Sequence, residues 1–281
     1  MTVDYEVEYN NRARVPEHPD IFARWQRESA AYRAAANNPK LGISYGPSSR
    51  RTIDLFPAKD DDKAPLAMFI HGGWWRSLEP ASFSQMAAGP NGRGVSVAVV
   101  GYDLCPVVSI ADIIEQIQAA CLMLWHRRRQ RMIVYGHSAG GHLAACMAAT
   151  DWKTLAPDAP ADLVPAAYAI SGVFDLLPLT QISINDDLRL NESEARRVSP
   201  LFWRVPAGRS LDAIVGALES SEFLRQSKTV AEAWKQSMAS TRYEEIAGAN
   251  HFTVIDPLKD PASPMTARVA ALAYSVKSIA L

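Results

Sequence analysis

The sequence predicts an α/β fold, with a mostly parallel central sheet and helices on both of its faces. Two observations carry this. Short apolar runs bounded by turn residues recur at 52–56, 66–70, 95–100, 132–135, 166–170, 211–215 and 243–246, and runs of that length read as buried strands. Between several of them lies helical periodicity. The clearest stretch sets Ile110, Ile113, Ile114, Ile117, Cys121 and Leu124 on one face at i, i+3, i+4 and i+7 spacing. Strands alternating with helices build parallel sheets, because a parallel return requires a crossover.

The elements follow in order. Residues 1–45 read as a helical N-terminal segment, most clearly where Ile21, Phe22, Trp25 and Tyr32 recur. From Arg51 the strand-and-helix rhythm begins. It breaks at about 175–208, where Leu176, Leu177, Leu179, Leu188 and Leu190 mix with Asp186, Asp187, Glu192, Glu194, Arg196 and Arg197. This stretch reads as a helical insertion after a strand, a candidate lid or substrate wall on a single domain spanning 1–281. His126, Arg127, Arg128, Arg129 and Arg131 close the helix before the 132–135 strand, where cations complement the dipole.

Composition excludes several function classes. The 281 residues are 48% hydrophobic and 21% charged, with 29 basic against 30 acidic side chains. That balance leaves no basic footprint for nucleic acid. No apolar run reaches the roughly 18 residues of a membrane helix. The N-terminus lacks the basic-then-apolar pattern of a secretory signal. Cys105, Cys121 and Cys146 are odd in number and lack CxxC spacing, which suits reduced, structural thiols. The expectation is a soluble, cytoplasmic protein with neither nucleic-acid nor membrane partner, and a homodimer left open.

The strongest chemical signal is Gly136-His137-Ser138-Ala139-Gly140-Gly141, directly after the 132–135 strand and before an apolar helix. G-x-S-x-G at a strand-to-helix turn is the nucleophile elbow, which projects the serine hydroxyl above a sheet. The second signal is His71-Gly72-Gly73-Trp74-Trp75 after the 66–70 strand. Acyl transfer needs donors aimed at a developing oxyanion, and peptide N–H groups of a glycine loop can approach that oxygen closely. Gly72 and Gly73, with Ala139 after the serine, are the expected donors; Trp74 is a further option.

Six histidines compete for the general base. His18 and His126 lie in peripheral contexts, His71 reads as a brace of its loop, and His137 and His142 flank the serine but point elsewhere. His251, in a late loop after the last strand, stands where the order Ser…Asp/Glu…His places the base. Three carboxylates can orient it. Glu219 sits in the loop after the 211–215 strand and is preferred. Glu222 reads instead as a first-turn helix carboxylate behind Ser220 or Ser221 as N-cap, and Asp175 is a third option.

Together these residues resemble the arylformamidase branch of the α/β-hydrolase family, which includes serine-type kynurenine formamidases and hormone-sensitive-lipase-like esterases. The resemblance runs over nearly the whole chain. Its carriers are Glu8-Tyr9-Asn10, the His71 loop, Tyr102-Asp-Leu-Cys-Pro106, the Gly136–His142 stretch, Ile170-Ser-Gly-Val-Phe-Asp-Leu176 and Ser199-Pro-Leu201. Glu219-Ser-Ser-Glu-Phe-Leu-Arg-Gln-Ser227 and Asn250-His-Phe252 complete the set. It implies an α/β-hydrolase fold and a serine hydrolase with no cofactor and no metal. It also implies that Glu219, which opens the [D/E]SxEF segment, is the triad acid. One departure is the adjoining Trp74 and Trp75, where the family loop often carries another aromatic after the glycines.

The expected function is therefore cleavage of a small carboxylic ester or aryl-formamide through an acyl-enzyme on Ser138, with His251 as base. An aromatic leaving group could stack on Trp74, Phe174 or Trp203, although core and lid packing account equally well for those rings. Ester and formamide cleavage use the same residues and stay undivided at this level. The alternative from another class is a non-catalytic ligand-binding protein that retains the hydrolase fold.

Overall fold

A computed structural model describes residues 3–61, 63–237 and 239–277. Eight strands form one sheet: β1 (Lys40–Ser44), β2 (Thr52–Phe56), β3 (Leu66–Ile70), β4 (Ser96–Val100), β5 (Met132–His137), β6 (Ala166–Ile170), β7 (Ser210–Gly216) and β8 (Ser240–Ile246). Their spatial order is β1-β2-β4-β3-β5-β6-β7-β8. The pairs β1–β2 and β2–β4 are antiparallel, and every other pair is parallel. This is the α/β-hydrolase architecture that the sequence predicts.

Every residue of β3 and β4 is buried, as a parallel sheet covered on both faces demands. Alternation along each strand then splits the core in two. Met68, Ile70 and Val134 pack on one face against the helices Ile110–Arg128, Ala139–Ala149 and Ser221–Gln236. Ala67, Phe69 and Tyr135 pack on the other against the helices His18–Ala35 and Pro264–Lys277. The parallel register pairs Ile70 with Gly136 and His137 with Ile170. The carboxyl ends of β3, β5 and β6 are therefore level, and the loops that follow them converge at one edge.

Three findings refine the sequence reading. The helical reading of 1–45 ends at Ala35, because Lys40–Ser44 is an edge strand. That strand escapes the pattern because it is largely exposed and broken by Gly42, whose φ is +69° and whose N–H donates to Asp54 Oδ1 at 2.8 Å. The 175–208 stretch forms short helical turns whose Leu176, Leu179, Leu188 and Leu190 are buried in the first core. All three cysteines are buried and unpaired, and burial pushes the Cys105 thiol up to about 11. Among the described residues no helix is long and apolar enough to cross a membrane.

Candidate active site

The site grows out of the turn between β5 and the helix Ala139–Ala149. Ser138 holds φ +57° and ψ −119°, a conformation that costs a non-glycine residue about 1–3 kcal/mol. Its N–H donates to the Ile170 carbonyl at 2.8 Å, which ties the turn to β6. The flanking glycines are required sterically. A Cβ on Gly140 would clash with the carbonyl oxygens of Ile70 and His71, and one on Gly136 with that of Gly140.

His251 Nε2 lies 3.1 Å from Ser138 Oγ, and His251 Nδ1 lies 2.6 Å from Glu219 Oε2. An ionised carboxylate only accepts hydrogen bonds, so the proton sits on Nδ1 and Nε2 accepts from the serine hydroxyl. The Glu219 side chain is fully enclosed. Its Oε1 accepts from Ser171 Oγ and, at 2.7 Å, from the Gly216 N–H. Three donors thus hold one carboxylate in a single orientation. The imidazole of His251 packs against Phe223 at 4.6 Å and His137 at 4.9 Å between ring centroids.

The other two acid candidates do not meet His251. Glu222 accepts two hydrogen bonds from Arg225, each of 2.7 Å, and one from the Tyr9 hydroxyl at 3.0 Å. Ser220 is the N-cap of its helix. Asp175 Oδ1 accepts from the Leu177 N–H at 3.0 Å and closes a local turn.

The loop after β3 faces the elbow. A Cβ on Gly72 would come within 2.9 Å of the His137 carbonyl oxygen and 3.0 Å of Ser138 Cβ. Only a residue without a side chain lets the two backbones approach this closely. The Gly73 carbonyl accepts from Arg76 N–H, Ser77 N–H and Ser77 Oγ. The N–H groups of Gly72, Gly73, Trp74 and Ala139 have no acceptor among the described residues. Gly72, Gly73 and Trp74 line the same cleft as Ser138, and the Ala139 N–H follows the serine at the positive end of the helix Ala139–Ala149.

The remaining histidines have structural partners. His71 Nδ1 donates to the Gly72 carbonyl at 2.7 Å, and its ring stacks on Tyr102 at 4.4 Å. His142 Nε2 donates to the Val198 carbonyl at 2.7 Å. Burial lowers both to about 4. His137 is held neutral by burial, well below its ordinary value. Its Nε2 donates to the His251 carbonyl at 2.7 Å, fixing the loop that carries the base. The sequence offered no signal for that role, nor for Ser171 as a support of Glu219.

The aromatic expectations divide. Trp74 is half-buried and lines a cleft of about 430 Å³ together with Ser138 and His251. Trp75 is fully buried, edge-on to His142 at 5.0 Å, and anchors the loop. Phe174 and Trp203 do not reach the cleft. Phe174 is wholly in the core with its ring beside Gly172, and Trp203 turns its Nε1–H to the Arg197 carbonyl at 2.8 Å. Asn11, Arg12, Phe22 and Trp25 from the N-terminal segment line the cleft instead. Among the described residues no group of His, Cys, Asp or Glu side chains could hold a metal ion.

Residues 53–202, more than half of the chain and including both glycine loops, match the BD-FAE family. The chain belongs to the BD-FAE family. This BD-FAE protein is similar to the kynurenine formamidase of Drosophila melanogaster, with 30% identity over 228 residues, 76% of this chain and 75% of that one. It is similar to the kynurenine formamidase of Salmo salar, with 29% identity over 231 residues, 78% and 77% of the two chains. It also resembles a crystal structure from Silicibacter sp. TM1040 provisionally described as a thioesterase. There the identity is 30%, the TM-score 0.84, and the coverage 95% of this chain and 99% of that one. These likenesses place the BD-FAE chain in the arylformamidase and esterase branch of the α/β-hydrolases.

Proposed function

We propose that this protein is a serine hydrolase of aryl-formamides and small carboxylic esters, acting through an acyl-enzyme on Ser138. The hydrolase class is supported by its kynurenine formamidase relatives. The observation that carries the mechanism is the unbroken relay from Ser138 Oγ through His251 to Glu219.

Ser138 Oγ attacks the substrate carbonyl while His251 Nε2 takes the hydroxyl proton. The carbonyl oxygen becomes an oxyanion and accepts from the N–H groups of Gly72, Gly73 and Ala139, with Trp74 as a fourth donor. Collapse of the tetrahedral intermediate expels the amine or alcohol, which receives the proton from His251. Water then attacks the acyl-serine with His251 again as base, and formate or another small carboxylate departs. Glu219 holds the His251 tautomer and stabilises the imidazolium in both half-reactions. The aryl group of the substrate lies against Trp74.

The test compares kcat/KM for N-formyl-kynurenine and p-nitrophenyl acetate on one preparation, alongside labelling by a serine-directed phosphonate. The proposal expects turnover of both, a preference for the formamide, and label on Ser138 alone. Acetate hydrolysis with little formamide turnover reduces it to a carboxylesterase. Silence on both substrates, or clean labelling at another residue, overturns it.

A further inference from the structure

The loop that follows β3 is wound against the preference of L-amino acids. Trp74 and Trp75 both hold φ +54°, Leu78 holds +73° and Gly73 holds +113°. The Gly73 carbonyl accepts from the Arg76 N–H at 3.1 Å and the Ser77 N–H at 3.0 Å, which closes one left-handed turn around the two tryptophans. Glycine enters that region freely, whereas each tryptophan there is strained. Such strain persists only where surrounding contacts over-determine it, and it gathers at functional loops.

Three contacts hold this turn. Trp75 is fully buried, and its carbonyl accepts from the Cys105 N–H at 2.8 Å. The Leu78 carbonyl accepts from the Arg50 guanidinium. Between these anchors, the Ser77 hydroxyl donates to the Gly73 carbonyl at 2.9 Å. Ser77 is half-buried and lines the cleft with Gly73, Trp74, Ser138 and His251, yet none of the hydrolytic steps uses it.

The direction of one donor follows. A trans peptide sets its C=O and N–H on opposite sides, and the Gly73–Trp74 peptide is trans. Three donors on the Gly73 carbonyl therefore turn the Trp74 N–H away from residues 76 and 77, and that N–H has no acceptor among the described residues. We propose that Ser77 is a positioning residue for the oxyanion. Its hydroxyl locks the Gly73–Trp74 peptide in the left-handed turn, with the Trp74 N–H held toward the oxygen that becomes charged. A donor already in place stabilises that charge more than one that must reorient as it develops. Ser77 serves the hydrolytic reaction proposed above, so its role rests on that reading.

The test is Ser77→Ala and Ser77→Thr with p-nitrophenyl acetate. Each kcat is normalised to the sites that a serine-directed phosphonate titrates to completion, so that misfolded protein does not count. Losing an oxyanion donor costs about 10²–10³-fold in kcat. Losing one of the three bonds that aim it should cost about tenfold, with KM unchanged. Ser77→Thr, which keeps the hydroxyl, should recover most of that rate. On a Trp74→Gly background, position 74 enters the left-handed region without strain, and Ser77→Ala should cost less than about threefold.

An unchanged kcat in Ser77→Ala, a loss confined to KM, or an equal loss on both backgrounds overturns the proposal while the hydrolytic reading stands. Ser77→Thr as slow as Ser77→Ala counts against it too. Crystal structures of the parent and of Ser77→Ala read the same role without turnover. In the variant the Gly73–Trp74 peptide is expected to rotate or to take two orientations. An identical peptide in both structures overturns the role of Ser77 whether or not the protein hydrolyses any substrate.

Discussion

The two walls of the cleft are built by different physics. On the sheet side, Gly72, Ser138, Glu219 and His251 follow the ends of β3, β5, β7 and β8, so ladder register and glycine close approaches position them. On the N-terminal side the wall is tied on by side chains. Tyr9 donates to Glu222 and accepts from Gln226 at 2.9 Å. Glu8 accepts from the Ser221 hydroxyl and the Glu222 N–H, and Trp25 packs on Phe83 at 5.3 Å. The difference teaches that the reacting groups rest on a rigid frame. The wall that faces the rest of the substrate hangs on bonds worth about 1 kcal/mol each, so rate and selectivity are separable.

Substitutions at the two walls should therefore differ in kind. The largest effect is expected from Ser138→Ala, with kcat lower by about 10⁵–10⁶-fold and no loss of melting temperature, since alanine removes no packing. A large stability loss there would show that the elbow also holds the fold together. Next comes Glu219→Gln, which should lower kcat by about 10⁴-fold, because the amide no longer holds the correct tautomer. Glu222→Gln, three residues on, should change kcat less than tenfold but weaken the fold by about 1–3 kcal/mol in urea titrations. Equal losses of kcat would erase the distinction between the walls.

Tyr9→Phe is a milder probe of the tied-on side. It removes two buried hydrogen bonds, and about 1–2 kcal/mol of stability should go with them. KM is expected to rise while kcat stays within about twofold of the parent; a fall in kcat alone would mean that the N-terminal wall reaches the reacting atoms.

The broadest effect is acid sensitivity of the frame, spread over the whole fold rather than one wall. Burial lowers His71 and His142 to about 4 from an ordinary 6.5. Between those values the unfolded chain binds protons that the folded chain excludes, so stability falls as the pH drops from 6.5 toward 4 and changes little above 6.5. Each histidine contributes on the order of 3 kcal/mol over the full range. Melting curves at pH 7 and pH 5 should show this loss. His142→Gln, which can still donate to the Val198 carbonyl, should flatten part of it. A variant with an unchanged pH slope would assign the sensitivity to other groups.

Much of the frame was legible in advance. Seven of the strands announce themselves as apolar runs between turns, and β1 does not, because an exposed edge with a central glycine carries neither period. The elbow and the His71 loop were legible because their glycines answer to steric demands between residues that are close in sequence or at known strand ends. Ser171 and His137 were not. A serine behind a carboxylate 48 positions away, or a histidine holding a carbonyl 114 positions away, leaves no local trace. In the sequence Phe174 and Trp203 suit substrate contact, because any aromatic near a serine site suits that role. Packing turned one into the core and the other toward Arg197.

The sequence by itself determined the doubly covered sheet, the position of the serine and the glycine loop that faces it. Local sterics and hydrophobic alternation act between neighbouring residues, and the chain writes them directly. The tertiary structure alone decided that Glu219 meets His251 while Glu222 holds Tyr9, though both stand within one turn of the same helix start. It alone brought Asn11 and Arg12 to the cleft. Which way a side chain faces depends on partners 32 positions away in one case and 213 in the other, and only the folded chain brings them together.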